Sequence, residues 1–94
     1  MTTGMQYIIR EKLARGLLPL ALEVVNDSAR HSGHAGDDGS GESHFSVTIV
    51  SESFNGKSRV ERQRMVYDLL KYEMSGPIHA LSVKAVSGDE YNRV

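Results

Sequence analysis

His44-Phe45-Ser46-Val47-Thr48-Ile49-Val50 and Ile78-His79-Ala80-Leu81-Ser82-Val83 flank one basic helical stretch, and reading them as strand, helix, strand decides the fold. In the first run Phe45, Val47 and Ile49 share one face while His44, Ser46 and Thr48 share the other. That period of two belongs to a half-buried strand. The second run puts His79 on the side of Leu81 and Val83, at the mouth of a strand expected to reach about Val86. Between them, Phe54-Asn55-Gly56 is turn chemistry, and Ser58 with Glu61 forms the spacing of a capping box. The helix so opened is expected to continue to Met74 on an apolar stripe of Val66, Leu69, Leu70 and Met74, edged by Met65 and Tyr72. Ser75-Gly76-Pro77 stops it, Gly76 as the cap and Pro77 because it cannot continue a helix. A short helical turn around residues 53–57 would make the larger helix the second of a pair. A crossover of this kind favours parallel pairing of its two strands.

Toward the N-terminus, Met5, Ile9 and Leu13 recur every fourth residue with Ile8 alongside, which predicts a helix over residues 5–15. Thr2 or Thr3 is its candidate cap and Gly16 its expected end. After a bend at Pro19, Leu22 and Val24 alternate with Glu23 and Val25, and Asn26-Asp27-Ser28 closes this strand. Residues 28–43 hold four glycines and no large apolar side chain, so they read as a long mobile loop joining two antiparallel strands. Ser87-Gly88-Asp89 reads as a turn, and residues 87–94 as a polar tail with at most one helical turn. The expected order is α-β-β-α-α-β, an α+β sandwich with helices on one face of a mixed three-stranded sheet. One domain over residues 1–94 accounts for it, with its core over about 5–86.

Composition narrows the function. Ninety-four residues, 39% hydrophobic and 24% charged, describe a single small globular domain. A formal charge of −1 argues against a non-specific polyanion binder. With no cysteine, the chain has no disulfide framework, no thiolate-only metal site and no cysteine nucleophile of its own. No apolar run approaches the roughly 18 residues of a membrane span, so no membrane partner is expected. Residues 1–6 lack a secretory apolar core and an Arg-rich transit pattern; the expected location is cytoplasmic, unless a targeting segment lies outside this sequence.

The chemistry-bearing candidates are few. His79 stands at a strand entrance, His31 and His34 form His-x-x-His in the glycine-rich loop, and His44 lies on a polar strand face, where hydrogen bonding to a neighbouring loop or Glu42 is its simpler role. Lys57, Arg59, Arg62, Arg64 and Lys71 make the sharpest local excess of positive charge, offset by Glu61, Asp68 and Glu73. Such a helix is either a solvated face, a weak phosphate contact to DNA, or a dock for an acidic partner. The Gly33-His34-Ala35-Gly36 and Gly36-Asp37-Asp38-Gly39 strings lie between strands, whereas a nucleic-acid clamp of that pattern needs two helices around it. Asp37 and Asp38 lack the spacing of a calcium loop. No arrangement supports nucleophilic catalysis, and no enzymatic activity is expected.

These residues resemble the BolA family in order and spacing, from about Ile8 to Val86. The resemblance rests on Leu22-Glu23-Val24, Asn26-Asp27-Ser28, Glu42-Ser43-His44-Phe45-Ser46-Val47, Ile49-Val50-Ser51, Phe54-Asn55-Gly56, Arg62-Gln63-Arg64-Met65-Val66-Tyr67 and Ile78-His79-Ala80-Leu81. It implies a fold like the class II KH domain and a non-enzymatic adaptor in iron–sulfur cluster assembly, trafficking or iron regulation. In that family the partner is a monothiol glutaredoxin, in a heterodimer, and the pair bridges a 2Fe-2S cluster with thiolates from glutaredoxin and glutathione on one side. The fixed histidine at the start of the last strand is matched by His79, and the second ligand, from the loop between the first two strands, by His31 with His34 as the alternative. Replacing two thiolates by imidazoles on one iron raises the reduction potential. The isolated chain is expected to be a monomer without cofactor. The alternative function is a DNA-binding transcriptional regulator using the basic helix 57–71. Where the family usually shows Arg-His-Arg, this chain has Arg62-Gln63-Arg64, which removes a histidine from that helix. The His-bearing loop is similar to that of the mitochondrial subfamily, so the mitochondrial matrix is the alternative location.

Overall fold

The computed structural model describes residues 4–27 and 43–92. Among the described residues three strands form one sheet in the order β1-β2-β3, with β1 (Ala21–Asn26) antiparallel to β2 (His44–Ser51) and β2 parallel to β3 (Ala80–Ser87). This is the mixed sheet that the strand–helix–strand reading predicts. The register sets Leu22, Ile49 and Ala85 in one row and Val24, Val47 and Val83 in the next. Both rows belong to the core-facing side of the sheet, and Phe45 and Leu81 extend it. The other side carries Glu23, Thr48 and Lys84 across one row and Val25, Ser46 and Ser82 across the next. These six residues stay exposed or half-buried, while His44 and Val50 at the ends of β2 on the same side are buried.

Helix α1 (Gly4–Leu17) buries Ile9, Leu13 and Leu17 and packs Met5 against the same cluster. The four-residue stripe is therefore real, but the helix does not end at Gly16. A Cβ at Gly16 would stand 2.6 Å from a methyl of Leu69, so this glycine permits two helices to approach. The turn falls instead at Leu18, which adopts φ 45. Beneath it the buried Ser51 hydroxyl donates to the Leu17 carbonyl at 2.6 Å, satisfying one of the acceptors that every helix end leaves over.

After β2, a 3-10 turn (Glu52–Phe54) inserts Phe54 fully into the core, and Gly56 turns the chain at φ 77. Helix α2 (Arg59–Leu69) opens on the expected capping box. The Glu61 N–H donates to the Ser58 hydroxyl at 3.1 Å, and the Ser58 N–H to the Glu61 carboxylate at 2.8 Å. The helix expected to reach Met74 breaks at Leu70 (φ −106, ψ 18), and a short α3 (Lys71–Met74) follows. Val66 and Leu70 are buried as the stripe requires, whereas Tyr72 is 78% exposed. Tyr67 packs in its stead and donates its hydroxyl to the Leu81 carbonyl at 3.1 Å. The stop after Met74 does not use Gly76 as a left-handed cap; Ser75 caps the helix in the right-handed region. The chain then turns so that the Ile78 N–H reaches the Glu73 carbonyl at 3.0 Å.

The C-terminal residues described form α4 (Gly88–Asn92), the helical alternative to a polar tail. A second capping box starts it: the Glu90 N–H donates to the Ser87 hydroxyl at 3.1 Å and the Ser87 N–H to the Glu90 carboxylate at 2.9 Å. The expected mobile loop lies outside the described residues except for Ser43, which is buried; the candidate caps Thr2 and Thr3 also lie outside them. Among the described residues no helix is long and apolar enough to cross a membrane.

Candidate metal centre

His79 stands one residue ahead of β3 and is exposed. Its N–H donates to the Ser43 carbonyl at 2.8 Å, and the N–H of Ala80 donates to the same oxygen at 3.2 Å. Successive residues of a regular strand face opposite ways, so two neighbouring N–H groups on one acceptor mark a turn. The alternation of β3 therefore begins at Ala80 and does not carry back to place His79 with Leu81. Instead the His79 ring lies beside that of His44, with centroids 6.3 Å apart and planes inclined by 28°.

His44 opens the central strand and is 7% exposed. Its Nδ1 sits 2.8 Å from the hydroxyl of Ser43, the neighbouring residue, and its carbonyl accepts the Asp27 N–H at 2.8 Å. Asp27 in turn accepts a hydrogen bond from the Ser46 hydroxyl on its carboxylate. The expected partner Glu42 lies outside the described residues; Ser43 fills that role.

Among the described residues His79 fits the part of one ligand to a shared metal group. His79 offers an accessible imidazole on a backbone anchored by two hydrogen bonds, and neutral imidazole is a competent iron ligand. Among the described residues no group of three or more His, Asp or Glu side chains could hold a metal ion, so a metal group bound here would need ligands from elsewhere. His31 and His34 lie outside the described residues. The residues flanking that stretch, Asp27 and Ser43, are joined to each other through His44 at the same strand mouth. Four residues of extended chain from Asp27 to His31 span at most about 14 Å.

The basic residues lie on and around α2 and at the start of α3. Lys57, Arg59, Arg64 and Lys71 are exposed. Arg62 differs, because only 12% of its side chain is exposed. Its guanidinium meets the Glu90 carboxylate at 2.6 Å, the Ala85 carbonyl at 3.2 Å and the Lys57 carbonyl at 3.0 Å. It clasps α4 and α2 onto β3. The Ser87 N–H first, then Arg62, hold the Glu90 carboxyl down to about 2, and the Ser58 N–H lowers that of Glu61. An open cleft of about 650 Å³ between α2 and β3 is lined by Arg59, Arg62, Gln63, Val83, Lys84 and neighbouring residues. His79, just ahead of β3, and Ala85, near its far end, are six residues or roughly 20 Å apart. The histidine site is therefore separate from Arg62 and the cleft that it lines.

The sequence reading missed two residues here: Ser43, taken as loop, and Glu73, taken as part of a solvated face. Glu73 is 4% exposed and pairs with Lys12 at 2.6 Å. The Ser87–Glu90 box had a signal, since it repeats the spacing of Ser58 and Glu61.

Comparison with known proteins agrees with this architecture. The family described as BolA-like protein matches residues 13–90. SufE-like protein 1, chloroplastic/mitochondrial, of Arabidopsis thaliana is 51% identical over 83 residues, which cover 82% of this chain and 22% of that protein. This chain thus corresponds to a minor part of that longer relative. The DNA-binding transcriptional regulator BolA of Escherichia coli (strain K12) is 41% identical over 83 residues, covering 88% of this chain and 75% of the regulator. Among solved structures, the BolA domain of SufE1 from Arabidopsis thaliana superimposes with a TM-score of 0.85 at 42% identity, over 96% of this chain and 99% of that one.

Proposed function

The chain belongs to the BolA-like family, and we propose that it acts as a non-enzymatic adaptor in iron–sulfur cluster handling. In this reading it binds a monothiol glutaredoxin and coligates a 2Fe-2S cluster through His79 and a histidine of the 28–42 stretch, His31 with His34 as the alternative. The observation that carries it is the exposed His79 ring on a doubly hydrogen-bonded backbone, at the strand mouth where that stretch both leaves and returns. When bound, the cluster supplies one-electron chemistry and a transferable iron–sulfur unit. The chain's own part is to present imidazole, fix its place and leave the remaining coordination positions to the partner. Mixing the chain with a monothiol glutaredoxin, glutathione, iron and sulfide is expected to change the visible absorption of the glutaredoxin-bound cluster. An unchanged spectrum with His79→Ala in place of the native chain would count against the proposal.

A second reading has its own support in the exposed Lys57, Arg59, Arg64 and Lys71 and in the relative named as a DNA-binding transcriptional regulator. Binding to duplex DNA through these side chains would weaken steeply with salt, because each neutralised phosphate releases counterions. Arg59→Ala with Arg64→Ala should flatten that salt slope. Arg62→Ala is a poor probe, since it also releases α4. The organelle words in one relative's name are consistent with an organellar site, the alternative to a cytoplasmic one.

A further inference from the structure

Two residues of this site have a cost that ligand chemistry does not explain. Ser43 and His44 are polar yet 0% and 7% exposed, and burying polar side chains is unfavourable unless their hydrogen bonds are met. Several of their contacts reach His79 and its neighbour Ala80. The Ser43 carbonyl accepts the N–H groups of His79 and Ala80, the Ser43 hydroxyl contacts His44 Nδ1, and the His44 ring lies 6.3 Å from that of His79, inclined by 28°. That separation is within the range in which flat rings pack offset on one another. The His44 carbonyl, through Asp27, ties the first strand to the same point.

We propose that Ser43 and His44 are positioning residues for His79: Ser43 fixes its backbone, and the buried His44 ring, held by the Ser43 hydroxyl, is the wall that orients the exposed imidazole toward a metal group brought by the partner. The inference rests on the reading of His79 as a ligand. An exposed histidine on an ordinary strand end would sample several rotamers, and only some would aim a ring nitrogen at a partner-held iron. Groups just outside the ligand shell serve this purpose in metal sites, where losing one typically costs about 10–100-fold in affinity. Here the wall comes from the central strand, the most firmly held element of the sheet.

The test has one readout without cluster and one with it. In the isolated chain, three-bond couplings of the His79 side chain are expected to report one rotamer in the native protein and in His44→Phe, which keeps a flat ring, but averaging in His44→Ala. In the complex with a monothiol glutaredoxin and glutathione, chelator competition followed by visible circular dichroism is expected to show cluster retention about 10–100-fold weaker for His44→Ala. Ser43→Ala should move in the same direction, and His44→Phe should restore most of the loss. Should His44→Ala fail to fold, His44→Gln, which lacks a ring, replaces it with the same expectation. Unchanged His79 couplings together with native retention in the ring-less variant overturn the proposal. A His79→Ala chain that retains the cluster normally overturns the ligand reading instead, while the couplings of the cluster-free chain still judge the orientation alone.

Discussion

Lys12→Met is expected to destabilise the fold, and adding Glu73→Leu is expected to restore it. In the native protein Lys12 Nζ meets Glu73 Oε2 at 2.6 Å, joining α1 to α3, with side-chain exposures of 40% and 5%. The second carboxylate oxygen, Oε1, is buried and has no hydrogen-bond partner among the described residues. Removing the lysine therefore leaves a buried carboxylate with neither oxygen paired. Breaking a fully buried ion pair costs about 3–5 kcal/mol. Because Lys12 is partly exposed, water can reach this gap, and about 2 kcal/mol is the appropriate scale. For a domain of this size that is a fall of roughly 8–16 °C in Tm. Replacing both residues by apolar side chains removes the stranded charge, and such replacements are commonly neutral or stabilising. Urea unfolding of the native chain, both single variants and the double variant closes the cycle. A coupling energy below about 0.5 kcal/mol, the level of independent sites, would refute the reasoning. So would a Lys12→Met variant as stable as the native chain. The pair bears on function as well, since the Glu73 carbonyl holds the Ile78 N–H immediately ahead of His79.

The Glu90 clasp is expected to fail in acid. Its carboxyl is held near 2 in the fold against an ordinary value of 4.5, so its contribution is fully present above about pH 4.5 and is lost as pH falls through the folded value. Amide shifts of Ser87, Glu90 and Tyr91 between pH 5 and 2 should follow that loss, and Arg62→Met should raise the midpoint; a midpoint near 4.5 in the native chain would contradict the assignment. Ser58→Ala removes the acceptor of the Glu61 N–H at the start of α2 and should cost about 1 kcal/mol, read as a fall of several degrees in Tm. Ser58→Asp, which keeps the acceptor, should cost little by the same measurement.

Much of the sheet was legible because its residues serve one purpose each. The alternation in His44 to Val50 gives a strand whichever element packs on it, and the crossover through α2 settles the direction of β3. The capping box at Ser58 was legible for the same reason, since both of its hydrogen bonds close within four residues. What the sequence did not reveal depends on contacts distant along the chain. Gly16 carries the local signature of a helix end, but its small size serves the approach of Leu69. Glu73 follows Lys71 in a polar-looking stretch, and only the fold shows Lys12 lying across from it. Arg62 is indistinguishable in sequence from Arg59 and Arg64, yet Glu90 and the Ala85 carbonyl consume its donors. At the candidate site, His79 at a strand mouth was visible, whereas the inward turn of Ser43 and the pairing of the two rings follow from the β2–β3 register.

That register also explains how one small domain can carry two kinds of surface. β3 is an edge strand whose two ends meet different neighbours: the His79 end meets Ser43 and His44, and the Ala85 end meets Arg62 of α2. The Tyr67 hydroxyl covers the Leu81 carbonyl and Arg62 covers that of Ala85. These side chains blunt an edge that would otherwise invite another strand. Partners can then engage the side chains at its ends and on α2. The ends are separated by about 20 Å along the strand, well beyond the distance at which substitutions usually couple. The proposed metal chemistry at the histidine end and the proposed contact with an anionic partner near Arg62 should thus be separable by mutation.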